Sequence, residues 1–146
     1  MQNICELIGV SKSYADYVVL DSISITAAPG EMAAIIGKSG MGKTTLLNIM
    51  GLLEKPNSGV VKLFSRVNPR INSRGANMLL RTKISYLFQN CALIDDASVD
   101  YNLEIPLIYV KKSRQEKQKM KLKALERVGL NTSLKQKIYE LSGGEQ

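Results

Sequence analysis

The spacing of apolar and polar residues predicts strands in the first half of the chain and helices in the second. The predicted strands are Asn3–Val10, Val18–Ala27, Met32–Ile36, Val60–Phe64 and Ile84–Phe88. Partial alternation over Val18–Ala27 is typical of a half-buried strand, whereas the unbroken apolar runs at Met32–Ile36 and Ile84–Phe88 are typical of strands covered on both faces. Polar loops are predicted at Ser11–Asp16 and Arg66–Gly75. The pattern therefore indicates an α/β fold with an antiparallel N-terminal portion.

Helical spacing of apolar residues predicts a helix over Lys43–Leu53 and one or two helical turns at Asn77–Arg81. Beyond residue 89 the pattern is mainly helical. Ser113 and Glu116 form a capping-box pattern, with the hydroxyl at the N-cap and the carboxylate three residues later. Gly129 stands where a glycine commonly ends a helix. These signals predict a helix that begins at Ser113 and ends just before Gly129.

The predicted helix over Ser113–Val128 combines an apolar face with many lysines. The residues expected on its apolar face are Leu122, Leu125 and Val128. The lysines expected to lie mostly off that face are Lys117, Lys119, Lys121 and Lys123. Two interpretations stay open. The basic side chains either form a solvated face, which is the commoner case, or contact anionic lipid headgroups.

Composition narrows the chemistry that the chain can perform. Its 146 residues suffice for one domain or a piece of a larger one, and no signal peptide is visible. The absence of histidine excludes a Ser-His-Asp triad, a histidine zinc ligand and imidazole acid–base catalysis. Cys5 and Cys91 give neither a disulfide framework nor a metal-binding spacing, and both are expected to be buried. The net charge of +7 suits phosphate-bearing ligands or an acidic surface. No apolar run reaches the roughly 18 residues of a membrane span.

A glycine-rich segment before the first predicted helix matches the phosphate-binding pattern G-x-x-x-x-G-K-[ST] in full. Its residues are Gly37, Lys38, Ser39, Gly40, Met41, Gly42, Lys43 and Thr44, and Thr45 follows them. Glycines let successive backbone N–H groups point at a β-phosphate, and the helix N-terminus adds partial positive charge. The Lys43 ammonium would reach β- and γ-oxygens, and the Thr44 hydroxyl would bind Mg²⁺. A chance glycine-rich turn is the alternative, but the apolar run before it and the amphipathic helix after it favour a nucleotide site.

The last six residues narrow the class of P-loop protein. Leu141–Gln146 reads LSGGEQ, which resembles the signature motif of ATP-binding-cassette ATPases. The segments KTTLLNIMGLLEKPNSG, LIDDASVDYNLEIPLIYV and ALERVGL are similar to the exporter branch that serves macrolide efflux, lipoprotein release and bacteriocin export. The resemblance covers the whole chain and implies a P-loop NTPase (RecA-like) fold. It places an antiparallel β subdomain and the P-loop part of the core at residues 1–89, and a helical subdomain at residues 90–146.

The resemblance assigns further residues to nucleotide binding. It implies that Tyr14 stacks on adenine, although Tyr17 competes for that role and an ordinary loop tyrosine is the alternative. It implies that Gln89 contacts Mg²⁺ or its water and relays the state of the nucleotide; a strand-end amide is the alternative. The residues that would contact the γ-phosphate bound by a second subunit, unless they form a plain loop, are Ser142, Gly143 and Gly144.

Several parts of a cassette ATPase are not found in this sequence. The family has an apolar strand that ends in an Asp for Mg²⁺ and a Glu for the attacking water, and later a switch histidine. Val18–Asp21 precedes the P-loop and Ala92–Asp96 directly follows Gln89, so neither stands where the family has that strand, although the second stays an alternative metal site. The chain is therefore expected to be roughly the N-terminal two-thirds of a nucleotide-binding domain, truncated before that strand, with Gln89 as its only candidate catalytic residue. Because the predicted strands Met32–Ile36 and Ile84–Phe88 would lack partners, low solubility, self-association or a rearranged sheet is expected.

The resemblance implies an ATP-hydrolysing exporter subunit at the cytoplasmic face of the cell membrane. Its cofactors would be ATP and Mg²⁺, and its partners a membrane permease and a second nucleotide-binding domain, as a homodimer of the full-length protein. The alternative is a module that binds Mg-ATP and turns it over negligibly, because the metal carboxylate and the catalytic base are lacking. A small-molecule kinase is disfavoured because LSGGEQ has no role there. Nucleic acid is not expected as a partner because few aromatic residues are available for stacking.

Overall fold

The chain divides into two units, Met1–Tyr86 and Leu87–Gln146, and each has its own apolar core. The structure, a computed structural model, describes residues 3–88 and 90–146. Of the helices in this described part, none is both long enough and apolar enough to cross a bilayer. That the units correspond to a β subdomain with the P-loop and a helical subdomain, with their boundary at residues 89 and 90, stays a prediction.

The first unit is built on an antiparallel sheet of four strands in the order β2-β1-β3-β4. The strands are β1 Cys5–Tyr14, β2 Tyr17–Ala27, β3 Ser58–Leu63 and β4 Arg66–Val67. The predicted antiparallel N-terminal portion is confirmed, because β1 and β2 pair with Cys5 opposite Ala27 and Tyr14 opposite Tyr17. The predicted loop at Ser11–Asp16 is wrong over its first four residues. These belong to β1, because their backbone pairs with β2 and β3 although their side chains are mostly polar.

Two helices accompany the sheet in this unit. They are α1 Lys43–Met50 and α2 Arg74–Thr82. The helix α2 begins three residues earlier than predicted, because the Ser73 hydroxyl caps it by accepting a hydrogen bond from the Ala76 N–H at 3.2 Å. The core that unites helices and sheet consists of Cys5, Leu7, Val10, Leu20, Leu46, Ile49, Leu52, Val61, Leu63, Ala76 and Leu79.

The two apolar runs that were predicted as buried strands are not strands in the structure. Met32–Ile36 and Ile84–Phe88 have irregular backbone, and within the described residues neither joins the four-stranded sheet. Met32 is 98% exposed and Ile36 is 92% exposed. A fully apolar strand requires neighbours on both sides and both faces, and no described segment supplies them here. The prediction that these runs would lack strand partners is in keeping with this arrangement.

The second unit is helical. Its helices are α3 Val99–Glu104, continued by a 3₁₀ turn at Ile105–Leu107, and α4 Arg114–Arg127, and a second 3₁₀ turn covers Ile138–Glu140. Its core contains Val99, Leu125, Ile138 and Leu141. The predicted capping box is confirmed, because the Ser113 and Glu116 side chains each bond the other's backbone N–H. Gly129 has φ +69°, as the predicted helix-ending glycine requires.

The predicted apolar face of α4 is wrong at three positions. Leu125 is buried, but Leu122 is 51% exposed and Val128 is 75% exposed. Lys121, expected off that face, is only 5% exposed. Its ammonium lies 2.8 Å from Asp100 Oδ1 and 2.8 Å from a Glu104 carboxylate oxygen. Two carboxylates on α3 therefore compensate a lysine that the helical pattern alone assigns to solvent.

The two cysteines differ in their surroundings. Cys5 is buried as predicted, and that burial, reinforced by the nearby Glu6 carboxylate, raises the pKa of its thiol. Cys91 is exposed, so the expectation that it is a buried small hydrophobe is wrong. It lies in a turn of the second unit, outside that unit's core.

Candidate functional site

The glycine-rich segment forms a curved loop that ends at the first residue of α1. Gly40 has φ +81° and Gly42, the residue that precedes α1, has φ +78°. This left-handed region costs little for glycine and is rarely adopted by other residues. The side chains of Lys38 and Ser39, which precede Gly40, and of Met41, which lies between the two glycines, are exposed. The loop thus presents these three side chains to solvent.

Gly42 also seats the loop on β2. A Cβ atom added at Gly42 would lie 2.8 Å from both the Cγ1 and the carbonyl oxygen of Val19, and 2.9 Å from Leu20 Cδ2. Real Cβ atoms do not approach other atoms so closely, so only glycine fits without a shift of the strand or the loop. The loop and the start of α1 are therefore held at a fixed place on the sheet.

Lys43 closes the curve of the loop. Its ammonium donates hydrogen bonds to the carbonyl oxygens of Gly37 at 2.8 Å and of Lys38 at 2.7 Å. These carbonyls belong to the first two residues of the motif, while Lys43 belongs to its end. The positive charge thus lies inside the arc of the backbone, where it can exchange carbonyl oxygens for the oxygens of an anion.

The N-terminus of α1 is free to bind an anion. No side chain caps it, and its first turn contains no acidic residue. The Gly42 carbonyl accepts the first intrahelical bond from Leu46 at 2.8 Å, which leaves the N–H groups at the start of the helix for another acceptor. Thr44 is exposed at this turn, whereas Thr45 is buried against the core. Together with the Lys43 ammonium, these donors fit a polyphosphate.

Metal ligands are scarce around this loop. The part of the chain with described coordinates holds no cluster of three or more His, Cys, Asp or Glu residues that could bind a metal ion. Gln89, predicted as a ligand of Mg²⁺ or its water, lies outside the described residues. Val18–Asp21 is part of β2, and Ala92–Asp96 is loop rather than strand, so neither adopts the apolar strand that ends in a metal carboxylate. The Thr44 hydroxyl is the predicted metal ligand that the structure places at the loop.

Tyr14 lies at the tip of the β1–β2 hairpin, directly opposite Tyr17. Its hydroxyl donates a hydrogen bond to Glu54, and the Lys12 ammonium lies over its ring, 5.1 Å from the ring centroid. Lys12 also pairs with Glu54 at 3.0 Å. Burial raises the pKa of Glu54, but hydrogen bonds from Tyr14, Lys12 and Asn48 and the charge of Lys12 outweigh burial, so its pKa lies below the usual value. No local sequence pattern predicts this contact with Glu54, because 40 residues separate the partners.

The signature residues form a turn of their own in the second unit. The backbone N–H and the hydroxyl of Ser142 donate to Glu145 Oε2 at 2.8 and 2.6 Å. The bond from the hydroxyl contributes most, followed by the bond from the backbone N–H, and together they lower the pKa of Glu145. Gly143 and Gly144 are exposed, with no atom within 4 Å of an added Cβ. The contact between Ser142 and Glu145 could have been predicted from the Ser-x-x-Glu spacing.

Part of the predicted site lies within the first unit. The phosphate-binding loop and Tyr14 belong to the first unit, where the loop packs on the strand that leads from the Tyr14 hairpin. The signature turn belongs to the second unit.

Comparison with known proteins agrees with this architecture. The family model described as ABC transporter matches residues 20–146. A macrolide export ATP-binding/permease protein, MacB 2 of Yersinia pestis bv. Antiqua, is 40% identical over 128 residues, which are 88% of this chain and 19% of that protein. The MacB protein of Escherichia coli is 38% identical over 150 aligned positions, covering 100% of this chain and 23% of its own length. The chain thus spans about a fifth of the length of these curated relatives.

Solved structures show the same fold. A dimeric post-hydrolysis form of the ATP-binding cassette MJ0796, bound to ADP and Pi, superposes with a TM-score of 0.86 at 31% identity, covering 97% of this chain and 64% of that one. The cbiO1 protein of Clostridium perfringens, part of the ABC transporter complex cbiONQ, gives a TM-score of 0.80 at 28% identity. The superposition covers 99% of this chain and 58% of cbiO1. The predicted α/β P-loop NTPase fold is thereby confirmed. With its family model matched over residues 20–146, the chain belongs to the ABC transporter family.

Proposed function

We propose that the chain is the ATP-binding part of an ABC exporter and that it holds Mg-ATP through Gly37–Thr45. One observation carries the proposal. The loop closes around the Lys43 ammonium at the uncapped N-terminus of α1, with two glycines in the left-handed conformation. Ammonium and backbone N–H donors that converge on one point are the chemistry that a β/γ-phosphate requires.

Each residue of the loop has a distinct task in this proposal. The backbone N–H groups around Gly40 and Gly42 bind phosphate oxygens. The Lys43 ammonium gives up its bonds to the carbonyls of Gly37 and Lys38 and neutralises the phosphate charge instead. The Thr44 hydroxyl would hold Mg²⁺, which would supply positive charge to the phosphates. Tyr14 offers an aromatic face to adenine.

The signature turn supports a second step of the proposal. Gly143 and Gly144 are open to an approaching partner, and the Ser142 hydroxyl is held at the start of the turn. In the proposed assembly, Ser142, Gly143 and Gly144 contact the γ-phosphate bound by a second copy of the nucleotide-binding domain. Two similar solved structures, both of the cassette MJ0796, are dimeric, which supports this arrangement. Gln89 would report the state of the nucleotide.

The proposed role of the longer protein is export across the cell membrane. Relatives such as MacB are named as ATP-binding/permease proteins, which supports a permease partner and a position at the cytoplasmic face of the membrane. Residues 1–89 would then be the β subdomain and the P-loop part of the core, and residues 90–146 the helical subdomain. The cargo would be a drug, a lipoprotein or a peptide such as a bacteriocin.

A second candidate is a module that binds Mg-ATP and turns it over negligibly. The observation that favours it is the lack of an acidic cluster among the described residues, because hydrolysis needs a metal carboxylate and a base for water. The two candidates share the nucleotide site and differ only in turnover.

The test measures Mg-ATP affinity and phosphate release for the unmodified chain, for Lys43→Ala and for Lys83→Ala. Lys83 is an exposed lysine of the same unit, so its variant matches the change in charge. We expect Lys43→Ala to abolish binding and Lys83→Ala to retain it. Equal affinity of Lys43→Ala and the unmodified chain would refute the nucleotide site. With binding established, phosphate release at background favours the binding module, whereas robust release that Lys43→Ala removes favours the ATPase.

A further inference from the structure

We propose that Glu54 is a positioning residue for the base of the bound nucleotide. It accepts a hydrogen bond from the Tyr14 hydroxyl and thereby orients the ring on which the base would stack. The inference rests on the proposed function, since it assigns the Tyr14 ring to the base of the nucleotide whose phosphates occupy Gly37–Thr45. It adds a residue outside the phosphate loop to the machinery that selects an aromatic base.

Three contacts hold the Tyr14 side chain. Its hydroxyl donates to Glu54, the Lys12 ammonium covers one face of its ring at 5.1 Å from the centroid, and the same ammonium pairs with Glu54 Oε1 at 3.0 Å. Lys12 also donates to the Lys55 carbonyl at 2.9 Å. Carboxylate, ammonium and ring thus form a closed triangle in which each member restrains the other two. A tyrosine held at its hydroxyl and on one face cannot swing freely about its side-chain torsions.

The backbone reinforces the triangle. The Ser13 N–H donates to Asn57 Oδ1 at 2.8 Å, and the Asn57 N–H donates to the Ser11 carbonyl at 2.9 Å. The Glu54 N–H in turn bonds the Asn48 carbonyl of α1 at 3.2 Å. The tip of the hairpin is therefore tied, through the turn that contains Glu54, to the helix whose N-terminus carries the phosphate loop.

Strand geometry places the ring within reach of that loop. Gly42 packs against Val19, and Tyr17 lies two residues before Val19 on β2, which corresponds to about 7 Å along the strand. Tyr14 is the direct partner of Tyr17. A nucleoside that extends from phosphates bound in the loop can therefore meet the hairpin tip.

One face of Tyr14 is left for a base. The residue is 47% exposed although Lys12 covers one side of its ring. Tyr17 is 66% exposed and is therefore less restrained by its surroundings than Tyr14. A base that stacks on Tyr14 meets a ring whose orientation is already set, so less conformational entropy is lost on binding. This difference favours Tyr14 over Tyr17 as the stacking residue.

The experiment measures the dissociation constants of Mg-ATP and of inorganic tripolyphosphate, which has phosphates but no base. The proteins are the unmodified chain, Glu54→Ala, Tyr14→Ala, the double variant and Tyr14→Phe. A control variant, Glu6→Ala, removes the carboxylate of a partly exposed ion pair in the same sheet, Glu6–Lys62.

We expect Glu54→Ala to weaken Mg-ATP binding about fivefold and Tyr14→Ala about tenfold, with tripolyphosphate affinity unchanged in both. The double variant should bind like Tyr14→Ala, because Glu54 has no ring left to position. Tyr14→Phe, which keeps the ring and the Glu54–Lys12 pair, should weaken Mg-ATP about threefold. Glu6→Ala should change neither constant.

Several results would overturn the inference. These are unchanged Mg-ATP affinity in Glu54→Ala or in Tyr14→Phe, an equal loss of tripolyphosphate affinity, or a further loss when Glu54→Ala is added to Tyr14→Ala. If Glu54→Ala fails to fold, Tyr14→Phe alone decides. An unmodified chain that binds both ligands equally keeps the phosphate site and refutes a base contact. A chain that binds neither ligand refutes the proposed function and this inference with it.

Discussion

Gly42 packs so closely against Val19 that a Cβ atom added at Gly42 would lie 2.8 Å from both the carbonyl oxygen and the Cγ1 atom of Val19. The contact joins the end of the phosphate-binding loop to β2. It explains why glycine is needed at Gly42 beyond its φ of +78°. The end of the loop is therefore packed against the sheet at the point where α1 begins.

Gly42→Ala should destabilise the first unit by about 3 kcal/mol, because it adds both backbone strain and a steric clash. The matched control is Gly40→Ala. Gly40 has φ +81° but nothing within 4 Å of an added Cβ, so only strain of about 1 kcal/mol is expected. Urea unfolding of the two variants measures the difference. Equal losses in both variants would show that the contact with Val19 does not restrict the loop.

Lys121→Met should destabilise the second unit by about 1–2 kcal/mol. The change removes the partner of Asp100 and Glu104 while these carboxylates stay partly exposed, which keeps the loss moderate. Lys119→Met, at an exposed position of the same helix, should change stability by less than about 0.5 kcal/mol. Chemical unfolding followed by helical circular dichroism measures both. A Lys121 variant as stable as the Lys119 variant would argue against a structural ion pair.

The capping box of α4 should make this helix sensitive to acid. Hydrogen bonds from the Ser113 backbone and side chain, and then the Lys112 ammonium, lower the pKa of Glu116 from 4.5 to about 2. Because the folded-state pKa is the lower one, the stabilisation by Glu116 is complete above pH 4.5 and is lost as pH falls towards 2. Helical circular dichroism from pH 6 to pH 2 should therefore show a decline in this interval that is smaller in Ser113→Ala. That variant should also lose about 1 kcal/mol at neutral pH. An identical acid profile in both proteins would exclude the capping box as the cause.

The exposed run Met32–Ile36 should promote self-association of the chain. Met32 is 98% exposed and Ile36 is 92% exposed, so this stretch presents apolar side chains and backbone groups outside the sheet. Ile36→Lys should shift sedimentation profiles towards monomer without lowering the unfolding temperature. Val67→Lys, an exposed apolar position on β4, is the control and should leave association unchanged. Association that persists in Ile36→Lys and disappears in Val67→Lys would assign the contact to the edge of the sheet instead.

Local sequence signals predicted much of the fold. The capping box at Ser113 and the turn at Gly129 depend on neighbouring residues, so a pattern a few residues long contains them. The pairing of β1 with β2 joins two strands that follow each other directly in the chain, with only a short turn between Tyr14 and Tyr17. The polar end of β1 was missed because its pairing comes from backbone groups, to which the hydrophobic pattern does not respond. Met32–Ile36 was assigned to a strand because an apolar run predicts burial, whereas burial requires strands that the described residues do not supply.

In the candidate site, too, contiguous features are predictable from sequence, whereas contacts between residues far apart in the chain are not. The phosphate-binding loop is contiguous, so its sequence predicts both its shape and its chemistry. The contacts of Tyr14 with Glu54 and of Lys121 with Asp100 join residues 40 and 21 positions apart. Such contacts depend on the packing of strands and helices, and a reading of the helical pattern assigns Lys121 to solvent. Sequence thus predicts which side chains carry the chemistry better than it predicts what orients them.

The most direct test of the account is the response of the loop's own backbone amides to nucleotide. The measurement is a titration of the ¹⁵N-labelled chain with Mg-ATP, followed by amide NMR spectra, with Lys43→Ala as the control. We predict the largest shifts at Gly40, Gly42 and Lys43 in the unmodified chain and none in the variant. Unchanged amides at these three residues in saturating Mg-ATP would contradict the claim that this loop binds the phosphates of ATP.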